Sequence, residues 1–262
     1  VVGTVTINAN GTLQTFSNRN ITADIVMNGG RIFSNQSGTD NTDRAVVFNG
    51  TLVLNGTGNR IEQTNATGAG TGTVTTTINS VISGSGSFEK LGNGTLVLAG
   101  ANTFTGDTAV SNGTLVLNSS GDAIVGEVSI ASGATLQFGA SDQINNSGTV
   151  DVATGGLIDM NGFDDTVAAF EIDNVSQGNS TYSLSTGGAA TTNDTLFVNN
   201  TGILTVAAQV ALAYVDIDLA GTGNGTAIAD ADEGVAGAQA GTFGTDVFAT
   251  IQEAIVAVST GG

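Results

Sequence analysis

The stretch Phe88-Glu89-Lys90-Leu91-Gly92-Asn93-Gly94-Thr95-Leu96-Val97-Leu98 contains the pattern that decides the fold. An alternating segment runs into an Asn-Gly turn, and a second alternating segment, Leu-Val-Leu, follows it. The same Asn-Gly-Thr-Leu quartet stands at 10–13, 49–52, 93–96 and 112–115. Looser relatives are Ser132-Gly133-Ala134-Thr135-Leu136, Ser147-Gly148-Thr149-Val150, Gly155-Gly156-Leu157 and Thr201-Gly202-Ile203-Leu204. Leu96 and Leu115 are 19 residues apart, and Leu115 and Leu136 are 21 apart. A strand-and-turn unit that returns about every 20 residues has the period of a solenoid.

The physical reading is a coil of stacked parallel strands. Asn-Gly supplies residues that tolerate positive φ where the chain turns sharply. The Leu or Val after it points inward, and its neighbours at odd spacing face solvent as Thr, Asn or Ser. Leu52, Leu96, Leu115 and Leu136 are therefore expected in one core, over a β-helix running from about Thr4 to Val206. The competing use of Asn-Gly is a two-residue hairpin, which would give an antiparallel sandwich.

Composition narrows the function. The 262 residues hold 39 Gly, no Pro, no Cys, no His and no Trp. Chemistry based on His or Cys, zinc sites with those ligands and disulfides are excluded. Five Lys+Arg against 23 Asp+Glu give a formal charge of −18, which argues against nucleic acid and anionic membranes. The apolar runs are too short for a helix to span a bilayer. Val1-Val2-Gly3 opens the sequence with neither an initiator Met nor a signal peptide, as expected of a processed product or an excerpt.

With Phe88–Leu98 read together with Ala101-Asn102-Thr103-Phe104-Thr105-Gly106-Asp107-Thr108 and Asn112-Gly113-Thr114-Leu115, the segment resembles the autotransporter-associated β-strand repeat. Leu157 to Thr166, with Asp159-Met160-Asn161-Gly162-Phe163, is similar to a segment that often follows such repeats. The resemblance implies a right-handed parallel β-helix on a bacterial surface protein. Proteins of different activities carry this repeat, so it implies architecture more than chemistry.

Past Thr191 the character changes. An acidic Gly/Ala/Asp-rich stretch covers 220–241, and Phe248, Ile251, Ile255 and Val258 follow at helical spacing. Thr245 or Asp246 would cap that helix and Gly261 would stop it. The segment around Phe248-Ala249-Thr250-Ile251-Gln252 resembles the helix that covers the first coil of pectin-lyase-like β-helices. The expected organisation is a solenoid over 1–213, then an acidic loop and capping helix over 214–262. Because the helix follows the last coil, it is expected to cover the next unit, placing Phe248, Ile251, Ile255 and Val258 against Val2, Val5 and Ile7.

Carboxylate pairs at Asp164-Asp165 and Asp216-x-Asp218 are the available residues for a polysaccharide-active enzyme. Solvated turn carboxylates are the favoured explanation of them, since a single acid pair without a motif is weak evidence, so no catalytic residue is assigned. Asp216, Asp218, Asp230, Asp232 and Glu233 are candidate calcium ligands, since Ca²⁺ takes six to eight oxygens, although no EF-hand order is present. No cofactor is otherwise expected. Sequons at Asn10, Asn49, Asn55, Asn93, Asn112, Asn174, Asn179 and Asn224 are already explained for the most part by turns. The functional expectation is a non-enzymatic, extracellular structural protein of a bacterial surface fibre or giant adhesin. Its partners would be copies of itself stacked head-to-tail, and surface glycans. The alternatives are a polysaccharide-active β-helix enzyme and the stem of an autotransporter passenger.

Overall fold

The computed structural model describes residues 3–36, 41–66, 70–183, 196–198 and 201–207, and, as backbone, 191–192, 214–215, 227–228, 241–242 and 247–248. The chain divides into two units, Val1–Ala207 and Ala208–Gly262.

The first unit is a parallel β-helix. Its first coil is β1 (Val5–Asn8), β2 (Thr12–Thr15) and β3 (Arg19–Ile21). The second is β4 (Ile25–Asn28), β5 (Arg31–Asn35) and β6 (Arg44–Phe48), and the third is β7 (Leu52–Asn55), β8 (Asn59–Thr64) and β9 (Val74–Ile78). The fourth is β10 (Ile82–Gly84), β11 (Phe88–Leu91) and β12 (Thr95–Leu98). Later coils keep two strands each: β13 (Thr108–Val110) with β14 (Gly113–Leu117), β15 (Val128–Ile130) with β16 (Ala134–Phe138), and β17 (Thr149–Val152) with β18 (Leu157–Asp159). Each strand pairs in parallel with its counterpart one coil away, so three faces run along the stack. The first face holds β1-β4-β7-β10, the second begins β2-β5-β8-β11, and the third runs β3-β6-β9-β12-β14-β16-β18.

Register makes the repeat spacing literal. Leu96 pairs with Leu115, and Leu115 with Leu136. All three are fully buried, and Leu52 is 2% exposed. The two earlier advances are longer: Ile25 pairs with Leu52 and Leu52 with Ile82, 27 and 30 residues on. The additional residues fall mainly between β5 and β6 and between β8 and β9. Long corner insertions of this kind cost little closure entropy and leave the stack intact.

The Asn-Gly turns serve the coil in two different ways. Gly113 has φ +70, which is the conformational reason for its glycine. At Gly50 the reason is close approach, since a Cβ there would lie 2.1 Å from the carbonyl oxygen of Ala23 in the preceding coil. A two-residue hairpin, though not at an Asn-Gly pair, occurs near the end of the stack at Asp173-Asn174. Both residues have positive φ (52° and 61°), and they join β20 (Ala169–Ile172) to the antiparallel β21 (Val175–Ser176). Nearby, β19 (Asp165–Val167) pairs in parallel with β24 (Leu204–Val206), and β22 (Thr181–Ser183) lies antiparallel to β24 and parallel to β23 (Thr191–Thr192). Phe170 packs on Tyr182 and Phe197 here, with ring centroids 4.9 and 5.8 Å apart.

In the second unit β25 (Tyr214–Val215) pairs in parallel with β28 (Val247–Phe248), and β26 (Ala227–Ile228) is antiparallel to β27 (Gly241–Thr242). This corrects the expected capping helix at its start, because Phe248 is a strand residue paired with Val215. A β-branched and an aromatic residue in sequence favour extended backbone, and here that preference prevails over the apolar spacing. No helix occurs among the described residues, and Ile251, Ile255 and Val258 lie outside them.

Candidate interaction surface

Of the carboxylate pairs considered for catalysis, Asp164 and Asp165 do not converge, and Asp216 and Asp218 lie outside the described residues. Asp164 and Asp165 are neighbours on an extended segment and so point to opposite sides. Asp164 is exposed, and its Oδ1 accepts from the Ile203 amide at 2.9 Å. Asp165 is 1% exposed, and its Oδ2 accepts from the amides of Gln143 (2.6 Å) and Ile144 (3.1 Å). Burial pushes the Asp165 carboxyl up to about 6. Its other oxygen, Oδ1, is buried without a hydrogen-bond partner. Asp165 thus closes a bend between coils. The calcium candidates Asp216, Asp218, Asp230, Asp232 and Glu233 lie outside the described residues. Within those residues no cluster of three or more acids could hold a metal ion.

Several sequon asparagines belong to side-chain ladders that climb the corners of the coil. Asn28 donates to Asn8 and Asn55 to Asn28, at 3.0 and 2.9 Å. A second ladder joins Asn49 to Asn20 at 2.5 Å and Asn79 to Asn49 at 2.9 Å. Each rung satisfies one amide and fixes the stacking of successive turns.

Lys90, the chain's one lysine, occupies an inward position that period-2 alternation from Phe88 already implies. Its register partners Ile61 and Val110 are buried core residues. Lys90 itself is fully buried, and its Nζ donates to the carbonyls of Leu91 (2.9 Å), Gly92 (2.8 Å) and Asn112 (2.9 Å). Burial pushes the ammonium down to about 8, with Glu62 acting in the opposite direction. Asn102 plays the matching role on the first face: its Oδ1 accepts from the Ile82 amide and its Nδ2 donates to the Ala123 carbonyl, both at 2.8 Å. Phe104 is fully buried and meets Phe88 edge-on with centroids 5.6 Å apart. Lysine, asparagine and phenylalanine of the repeat thus tie the coil on either side to its own.

Strands β1, β2 and β3 each pair on one edge only among the described residues. Of the residues expected to contact another unit, Val5 is 37% exposed and Ile7 is buried, while Val2 lies outside the described residues. Val5 to Leu13 line a depression of about 340 Å³. Phe16, unremarked in the sequence, is 60% exposed beside them in chain order. Arg19 was also missed, because its significance lies in register rather than in local pattern. It pairs with Val46, at the inward position of the third face, yet it is exposed.

Charge is segregated along the sequence. All five basic residues fall at or before Lys90, together with 5 of the 23 acids, so that portion is neutral. The remaining 18 acids follow it with no base among them.

Comparison with known proteins agrees with this architecture at the repeat built on Lys90. Residues 88–117 match the passenger-associated-transport-repeat family. The chain carries an autotransporter passenger repeat. Over 212 residues, 76% of the chain, it is 29% identical to the Adhesin BmaC autotransporter of Brucella suis biovar 1. The chain spans only 5% of that relative's length. No solved structure matches the chain.

Proposed function

We propose that this chain is a non-enzymatic structural segment of a secreted or cell-surface passenger protein of the adhesin type. In this reading β-helical units stack head-to-tail to extend a stiff rod. The observation that carries it is the unbroken register of the core along the third face, from Val46 through Thr76, Leu96, Leu115 and Leu136 to Ile158. Such columns exclude water along the whole stack and transmit load through backbone hydrogen bonds. The repeat and the similarity to an adhesin autotransporter support surface placement. The divergence of Asp164 and Asp165 supports a structural over a hydrolytic role, because a glycosidase needs two facing carboxylates.

The test combines location and chemistry. Antibody against this segment should label intact cells that make the full protein, and mild protease treatment of those cells should remove the signal. The purified chain should release no reducing ends from a panel of bacterial and host polysaccharides. Signal confined to the cell interior, or glycan cleavage abolished by Asp164→Asn, would overturn the reading.

A further inference from the structure

We propose that Asn112-Gly113 is a self-modifying turn, in which attack by its own backbone, promoted by Lys90, converts Asn112 to aspartate and isoaspartate. The inference is independent of the stacking reading and gives the recurring Asn-Gly pair a chemistry as well as a turn.

The step is a ring closure. The backbone nitrogen of Gly113 gives up its proton and attacks the side-chain carbonyl carbon of Asn112; the Cγ–Nδ2 bond breaks and ammonia leaves. Water then opens the five-membered imide at either carbonyl, which yields aspartate or isoaspartate. Loss of the amide proton is the difficult part, and the negative charge it leaves is shared with the oxygen of the same peptide group. That oxygen is the Asn112 carbonyl, which accepts from Lys90 Nζ at 2.9 Å. An ammonium already aimed at the atom where charge develops lowers this barrier. Lys90 is fully buried, so water screens it little.

The preceding coil carries the comparison. Asn93-Gly94 occupies the equivalent position there, since Thr95 pairs with Thr114. The Asn93 carbonyl accepts from the neutral side-chain amide of Asn65 at 3.1 Å, and its Oδ1 accepts from the Asn65 N–H at 2.8 Å. The Gly94 nitrogen donates to the Gln63 carbonyl at 2.9 Å, so the attacking and the attacked groups are both held. Asn112 is exposed, and its side chain makes no hydrogen bond among the described residues. Asn28, Asn49 and Asn55 also precede glycine, but their amides are rungs of the corner ladders. Gly113 puts no side chain in the way of ring closure. Isoaspartate adds one carbon to the backbone at the entry to β14, so the modification ages the coil that Lys90 secures.

The full chain is incubated folded at physiological temperature and neutral pH, then cut with a protease specific for acidic residues. Mass spectrometry reads the amide-to-acid gain at each site, and enzymatic methylation of isoaspartate identifies the product. Each rate is divided by the rate of the same site in urea. On this scale Asn112 should react at least about fivefold faster than Asn93, well within what one donor at a developing charge contributes. Lys90→Met, at a temperature where circular dichroism shows it folded, should bring Asn112 to the Asn93 rate or below. The native protein supplies a second readout without any variant. Base catalysis raises the rate with pH at every site, but at Asn112 the rise should flatten above about 8, where Lys90 loses its charge. Glu62, which acts on Lys90, and Glu89, which accepts from Ser111 Oγ at 2.6 Å, are the carboxylates here, and carboxylates ordinarily titrate well below this range. An Asn112 rate no higher than that of Asn93, an Asn112 rate unchanged or raised in folded Lys90→Met, or parallel pH profiles at the two sites would overturn the proposal.

Discussion

The ammonium of Lys90 donates to the carbonyl oxygen of Asn112 across 2.9 Å, binding one coil of the solenoid to the next from inside the core. The same Nζ serves the carbonyls of Leu91 and Gly92, so three acceptors at a tight turn depend on one buried cation. Lys90→Met keeps the apolar stem and removes those donors. It should destabilise the coil by about 1–3 kcal/mol, the range for hydrogen bonds to a charged group, read from urea unfolding.

Lys90 also gives stability a pH dependence of defined sign. Its folded-state value of about 8 lies below the ordinary 10.5, so between these values the unfolded chain holds more protons. Stability contributed at this site therefore rises as pH increases from about 8 toward 10. The thermal midpoint of the native protein should rise across this window relative to Lys90→Met.

Asp165 acts with the opposite sign in acid. Its carboxyl is raised from 3.8 to about 6, so the folded chain holds more protons between those values. Its contribution is complete below 3.8 and is lost as pH rises through 6. Asp24, Asp43 and Asp173, held below the usual carboxylate range by threonine hydrogen bonds, lose theirs only below 3.8. From pH 4 to 6.5 the thermal midpoint should fall for the native protein and change less for Asp165→Asn.

Two glycine substitutions separate steric closeness from backbone strain. A Cβ on Gly106 would lie 2.4 Å from backbone atoms of Gly86 and Ser87, whereas one on Gly133, at φ +81, would meet nothing within 4 Å. Gly133→Ala should cost about 1–2 kcal/mol, the penalty of a left-handed non-glycine residue. Gly106→Ala should cost more, because two coils must separate, and equilibrium unfolding of the pair checks the ranking.

Leu115→Ala tests the register of the core. Leu115 is fully buried between Leu96 and Leu136, so truncation should cost about 2–5 kcal/mol. Val116, one residue on and facing outward, should tolerate Val116→Thr with a change below about 0.5 kcal/mol.

The stack of strands was legible in the sequence because its signal is local. The 19- and 21-residue spacings are the observed register offsets, and the Leu-Val-Leu segments are the core strands. The early coils were less legible, since their advances of 27 and 30 residues carry corner insertions without strand pattern. Phe248 was misread because apolar residues three and four apart suit a helix face, while pairing with Val215 is a long-range fact. Arg19 and the divergence of Asp164 from Asp165 share that origin. Which side a residue faces depends on the coil it stacks against, and no short window contains that coil.

Small-angle X-ray scattering of the full chain over a concentration series at low salt reads end-on stacking of the β-helix. The cross-sectional radius should stay constant while particle length grows by whole units, as end-on stacking of a rod requires. A scattering profile that stays monomeric at every concentration, or a cross-section that grows with concentration, would contradict it.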